Sequence, residues 1–100
     1  LAEKKTRRNI SERDMARMSD NEVSQMVKNS ISLETGHSGP IEDNHASSDI
    51  SGWDSIAHIR IMYRIELDLE IEIDLRKTYS ASTVGELVQL VCNINQEKGD

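Results

Sequence analysis

The sequence predicts an all-α domain, a four-helix bundle of three longer helices and one short one, with a long loop between the first and second. Three observations carry this. Apolar residues recur at helical spacing in three stretches, each behind an N-capping residue. The 100 residues contain a single proline. The one strictly alternating stretch, Ile65 to Asp74, has no second run to pair with, so a strand there would leave its backbone donors and acceptors unmet. With 36% hydrophobic residues but no Phe, one Trp and two Tyr, the core must be built from Ile, Leu, Val and Met.

Residues 1–18 hold six Lys/Arg against three acids, with Ser11-Glu12-Arg13-Asp14 as a short helix start and little apolar patterning beyond Met15 and Met18. They read as a basic flexible tail or linker ahead of a domain over 19–96. Ser19-Asp20-Asn21-Glu22 is a capping box, and Val23, Met26, Val27 and Ile31 follow at helical spacing, predicting a first helix from about 20 to 34. Thr35-Gly36-His37-Ser38-Gly39-Pro40 stops it. A loop over 36–53 follows, with Ile41 and Ile50 as anchors; so long a loop in a small domain is functional or mobile.

The central helix is predicted from Asp54 to about Leu69. Ile61, Ile65 and Leu69 share its core face, and Ile56, Ile59, Met62 and Tyr63 widen the apolar surface beyond what one stripe requires. Asp74 to Tyr79 reads as a short irregular helix. Thr83-Val84-Gly85-Glu86 is a second capping box, opening a last helix to about Asn95 whose stripe is Val84, Leu87, Val88, Val91 and Ile94. Residues 97–100 read as a frayed tail.

Net charge is −6, unevenly spread: residues 19–100 hold six basic residues against fifteen acids. Such a surface repels nucleic acid and anionic lipid and is drawn to basic patches on proteins. A single cysteine, Cys92, excludes an intramolecular disulfide, and no apolar run suits a signal peptide or a membrane span. A cytoplasmic monomer that binds neither nucleic acid nor membrane is expected. Asn9-Ile10-Ser11 matches a glycosylation sequon by chance.

The candidate site is Gly52-Trp53-Asp54-Ser55-Ile56. Asp54 as N-cap places Ser55 in the first turn, exposed, where free backbone N–H groups and the positive end of the helix dipole suit a phosphate. No glycine follows the serine as in the Gly-x-Ser-x-Gly elbow of hydrolases. His58 lies three residues on, but a Ser55–His58 dyad has no evident oxyanion hole. His37, His45, His58 and Cys92 lack the paired spacing of metal ligands.

At these residues the chain resembles the acyl carrier proteins, whose signature Asp-Ser-Leu/Ile opens a helix and carries 4′-phosphopantetheine on the serine. Asp54-Ser55-Ile56 leads through Glu66, Asp68 and Leu69 into Glu70-Ile71-Glu72-Ile73. Thr83-Val84-Gly85-Glu86-Leu87 resembles the opening of that family's last helix, and Glu42-Asp43-Asn44 the acidic turn before its long loop. The resemblance spans roughly residues 19–96 in the right order.

It implies a helix ending near Leu69, then an extended stretch at 70–73 with Ile71 and Ile73 turned inward. It also implies a covalent 4′-phosphopantetheine on Ser55 with Asp54 as the cap beside it, His58 at the surface next to the attached phosphate, and no catalysis by the chain itself. The implied partners are a phosphopantetheinyl transferase and acyl-loading or acyl-using enzymes such as a ketosynthase, an acyltransferase or a ligase. Their docking surface would comprise Ile56, Ile59, Arg60, Met62, Tyr63, Arg64, Glu66 and Asp68. Trp53 before Asp-Ser, with Arg60 and Arg64 where many fatty-acid carriers are acidic or neutral, is similar to carriers of specialised polyketide-type pathways and to D-alanyl carriers. From another class, the alternative is an unmodified helical adaptor that binds partners through Ile59, Met62 and Tyr63.

Overall fold

The computed structural model describes residues 18–98. Among the described residues four helices follow one another: α1 (Asp20–Thr35), α2 (Ser55–Leu69), the single-turn α3 (Leu75–Thr78) and α4 (Val84–Lys98). A 3-10 turn at Ser47–Asp49, absent from the sequence expectations, interrupts the long connection. Except for Met18, the expected tail over 1–18 lies outside the described residues. At the other end α4 runs through Lys98, so Gln96, Glu97 and Lys98 continue a helix that the sequence had ending at about Asn95.

Helix α1 starts as its sequence dictates. Ser19 Oγ accepts from the Glu22 N–H at 3.2 Å and Glu22 Oε1 accepts from the Ser19 N–H at 2.9 Å, satisfying two donors that a helix start otherwise leaves unmet. Gly36 ends it in the left-handed region at φ 74°, where glycine has no Cβ penalty. Val23, Val27 and Ile31 along one face are fully buried, and α1 packs on both α2 and α4. Each such aliphatic side chain contributes about 1.5–3 kcal/mol by leaving water. Met18 closes the same end of the bundle, its carbonyl accepting from Asn95 Nδ2 of α4.

The connection from α1 to α2 is pinned along its length. Ile41 and Ile50 are buried, as expected of anchors. The carbonyls of Asp43 and His45 accept from the Gly85 and Val84 N–H groups, each at 2.8 Å, so the loop itself holds the start of α4. Lys28 of α1 reaches Asp43 at 2.8 Å. Gly52 has φ 91°, and a Cβ there would lie 2.5 Å from the Thr35 carbonyl oxygen; only glycine lets the chain cross the end of α1 before turning into α2.

The alternating stretch forms no strand. α2 closes at Glu70, which takes the left-handed conformation at φ 56°, and the Ile71 N–H donates to the Glu66 carbonyl. Glu66 Oε2 accepts from the Ile73 N–H at 2.7 Å, holding the extended stretch back against α2 while Ile71 is buried and Ile73 packs on the core. Asp74 caps α3 through the Arg76 N–H. Its carboxyl is held below its ordinary pKa by the Arg76 side chain and then by that backbone bond. The second capping box forms by half: Thr83 Oγ1 accepts from the Glu86 N–H, but Glu86 Oε1 takes the Ser82 N–H instead of that of Thr83. Cys92 lies in the core between α4 and α1. Burial first, and Asp20 beside it second, push its thiol pKa to about 11, leaving it unreactive at neutral pH.

Candidate functional site

Asp54 is the N-cap of α2. Its Oδ1 accepts from the Ala57 N–H at 2.8 Å, which fixes the first turn and leaves Ser55 as the first helical residue, exposed to solvent. No acceptor among the described residues meets the backbone N–H groups of Ser55 and Ile56. Those two unmet donors beside an exposed hydroxyl, at the positive end of a four-turn helix, can hold an anionic group attached to Ser55 Oγ.

A cleft of about 370 Å³ opens beside Ser55, between the start of α2, α3 and the start of α4. Trp53, His58 and Tyr79 form one wall, and Val84 and Leu87 of α4 the apolar side opposite. Ser47 and Ser82 add hydroxyls to the lining.

His58 is the residue that the sequence reading misplaced. Instead of sitting at the surface it is 8% exposed, with both ring nitrogens engaged. Trp53 Nε1 donates to His58 Nδ1 at 3.1 Å. Indole N–H is only a donor, so Nδ1 must be the unprotonated nitrogen and the neutral ring carries its hydrogen on Nε2. That Nε2–H donates to Thr78 Oγ1 at 2.7 Å, and the threonine hydroxyl donates to the Leu75 carbonyl at 2.6 Å. Tyr79 stacks on the imidazole with ring centroids 4.6 Å apart, and Trp53 lies at 6.0 Å with a 22° interplanar angle. Burial lowers the His58 pKa from its ordinary 6.5. With no nitrogen left for Ser55, the Ser55–His58 dyad is not assembled.

A sequence signal for His58 existed. Residues 58, 61, 62, 65 and 69 follow one another at helical spacing, and all five are buried on one face of α2. The same geometry corrects Met62, which was expected at the docking surface and is 3% exposed in the core. On the opposite face Ile56, Ile59, Tyr63 and Leu67 are 48–60% exposed; Leu67 was missing from the expected docking set.

The charged members of that set divide. Arg60 and Asp68 are exposed. Arg64 is turned inward to Glu34 of α1, its Nη2 and Nε donating to Glu34 Oε2 at 2.7 and 3.1 Å. Glu66 is committed to the Ile73 backbone. Both therefore serve the fold, the first joining α1 to α2 and the second ending α2. His37 and His45 meet edge to face at 6.4 Å, apart from His58 and Cys92. No helix among the described residues is long and apolar enough to cross a membrane.

The fold and site define a small all-helical domain with a serine presented at a helix start beside a cleft. Among known proteins, no family model, no curated protein and no solved structure matches this chain.

Proposed function

We propose that the chain is an acyl carrier domain of the four-helix acyl-carrier type, bearing 4′-phosphopantetheine on Ser55 Oγ and performing no catalysis itself. The observation that carries this reading is the exposed Ser55 hydroxyl at the capped start of α2, flanked by two unmet backbone N–H groups and opening onto a cleft. The Ser55 and Ile56 N–H groups would hold the phosphodiester, Asp54 would keep the turn in place, and the cleft would receive the attached group. When bound, the arm supplies a terminal thiol that holds an acyl group as a thioester. The transferase delivers the arm from coenzyme A, with Mg²⁺ at the transferase. Enzymes such as a ketosynthase, an acyltransferase or a ligase then load or use the cargo, docking on Ile56, Ile59, Tyr63 and Arg60.

Trp53 ahead of Asp-Ser and the exposed Arg60 support a specialised polyketide-type pathway over general fatty-acid synthesis, with an aminoacyl group such as D-alanine as the second cargo. The exposed stripe of Ile56, Ile59, Tyr63 and Leu67 favours, as a second reading, an unmodified adaptor that binds a partner through that face.

Incubation with coenzyme A and a broad-specificity phosphopantetheinyl transferase separates the two. The wild-type chain gains one phosphopantetheine in mass and Ser55→Ala gains none. An unmodified wild-type chain, where a control carrier is fully converted, would leave the adaptor as the reading.

A further inference from the structure

Trp53 is the only tryptophan of the chain and stands on the loop just before α2, half-buried. Its backbone is held by one bond, from its N–H to the Ile50 carbonyl at 3.3 Å, and its indole by one, to His58. Thr78, on the other side of His58, is fixed to α3 by its own bond to the Leu75 carbonyl. Of the three linked side chains, Trp53 is thus the one whose polar group has a single partner, its ring otherwise resting on the core by apolar packing, which does not depend on direction.

We propose that neutral His58 is a latch that holds Trp53 as a wall of the Ser55 cleft, and that a proton on His58 releases Trp53 and changes the shape of the cleft. The geometry allows the bond in one protonation state only. A proton added at Nδ1 points at the Trp53 Nε1–H across 3.1 Å, donor against donor, while the bond from Nε2 to Thr78 survives. The stacked Tyr79 keeps the imidazole in place as Trp53 leaves.

No carboxylate is bonded to His58. Asp54, the N-cap of its own helix, accepts from the Ala57 N–H through Oδ1 and makes no bond to the imidazole. α3 presents Thr78, its C-cap Tyr79 stacks on the ring, its Arg76 and Lys77 are cations, and the carboxylate of its N-cap Asp74 is engaged by Arg76. At the start of α4 the Glu86 carboxylate accepts from Ser82. Among the described residues His58 makes no ion pair. Burial therefore lowers its pKa unopposed, in the same direction as the clash of donors.

The sign follows. In the unfolded chain His58 titrates at its ordinary 6.5, and in the folded chain lower. The latch is complete above 6.5 and is lost as pH falls through the folded value. Folding stability begins to fall earlier, as the unfolded chain takes up its proton first.

The latch belongs to the chain whether or not Ser55 is modified, so the unmodified protein tests it and a failure leaves the carrier reading standing. Long-range proton–nitrogen spectra of the imidazole and the indole N–H signal of Trp53 are followed from about pH 8 to about pH 5, across the histidine range. Expected are the Nε2–H tautomer at high pH, a His58 midpoint below 6.5, and a Trp53 indole signal that shifts with the same midpoint while amide dispersion shows the fold intact. In Trp53→Phe, which keeps a ring but removes the donor, the His58 midpoint rises. An Nδ1–H tautomer, a wild-type midpoint at or above 6.5, an indole signal indifferent to His58, or an unchanged midpoint in Trp53→Phe would each overturn the latch.

Discussion

From Ile61 to Leu69 the buried side of α2 is Ile61, Met62, Ile65 and Leu69, packed against the valines and Ile31 of α1. From Asp54 to His58 the same helix is held by a carboxylate cap, an indole, an imidazole and a threonine hydroxyl. Aliphatic packing is non-directional and resists opening because every displaced methylene loses contacts. A chain of hydrogen bonds is directional and holds only while each donor faces an acceptor. One end of α2 is therefore a fixed frame. The other can present a serine, border a cleft and respond to the protonation of a single ring.

Truncating the aliphatic end tests this contrast most severely. Ile65, fully buried in the core shared by α1 and α2, should cost about 2–5 kcal/mol on Ile65→Ala. Chemical denaturation reads this as a lower midpoint with an unchanged slope. A loss below about 1 kcal/mol, the usual scale of a mild substitution, would mean that the frame collapses easily around a cavity and is no more rigid than the cleft end.

At the polar end, Thr78→Val keeps the shape of the side chain and removes its oxygen. The His58 Nε2–H then loses its acceptor, and the expected cost is about 1–3 kcal/mol, the penalty of a buried unmet donor. The same denaturation series compares it with Ile65→Ala. An equal or larger loss at Thr78 would reverse the comparison, making hydrogen bonding the stronger constraint on α2.

How much of each end could be read from sequence differs for the same reason. Caps and stripes act within a few residues, so Ser19, Asp54, Val23, Val27, Ile61 and Ile65 identified α1 and α2 within a residue of their ends. The same local logic fails for contacts between residues distant in the chain. Thr78 is twenty residues from His58, and nothing in the spacing of either marks the pair. Arg64 and Glu34 are thirty apart; the sequence placed Arg64 at the docking surface and gave Glu34 no role. His58 was legible in part: its register with Ile61 and Ile65 placed it on the buried face, but a polar residue there has meaning only once its partners are known. Ser55 was legible because exposure at a helix start depends on Asp54 alone. Glu86 fell between these cases, its carboxylate choosing the Ser82 N–H over the neighbouring Thr83 N–H that the pattern favours.

The smallest effect expected separates the two arginines of α2. Arg60 is exposed and makes no ion pair with a described residue, whereas Arg64 reaches across to α1 with two donors on one Glu34 oxygen. The Arg64 side chain is 41% exposed, so solvent screens the pair and its worth is about 0.2–1 kcal/mol. Arg64→Glu should destabilise by that amount or somewhat more, because it sets a second carboxylate beside Glu34, and Glu34→Arg in the same chain should restore most of the loss. Arg60→Glu should stay within about 0.5 kcal/mol of wild type. Reversing Arg60 alone, with the fold untouched, then isolates the surface: under the proposed carrier function, turnover by a loading enzyme should fall, and the fall should shrink as salt rises. Reversing Arg64 instead confounds docking with packing. If Arg60→Glu leaves turnover unchanged across partners while Arg64→Glu lowers it without loss of stability, Arg64 is the docking residue, and its contact with Glu34 must open when a partner arrives.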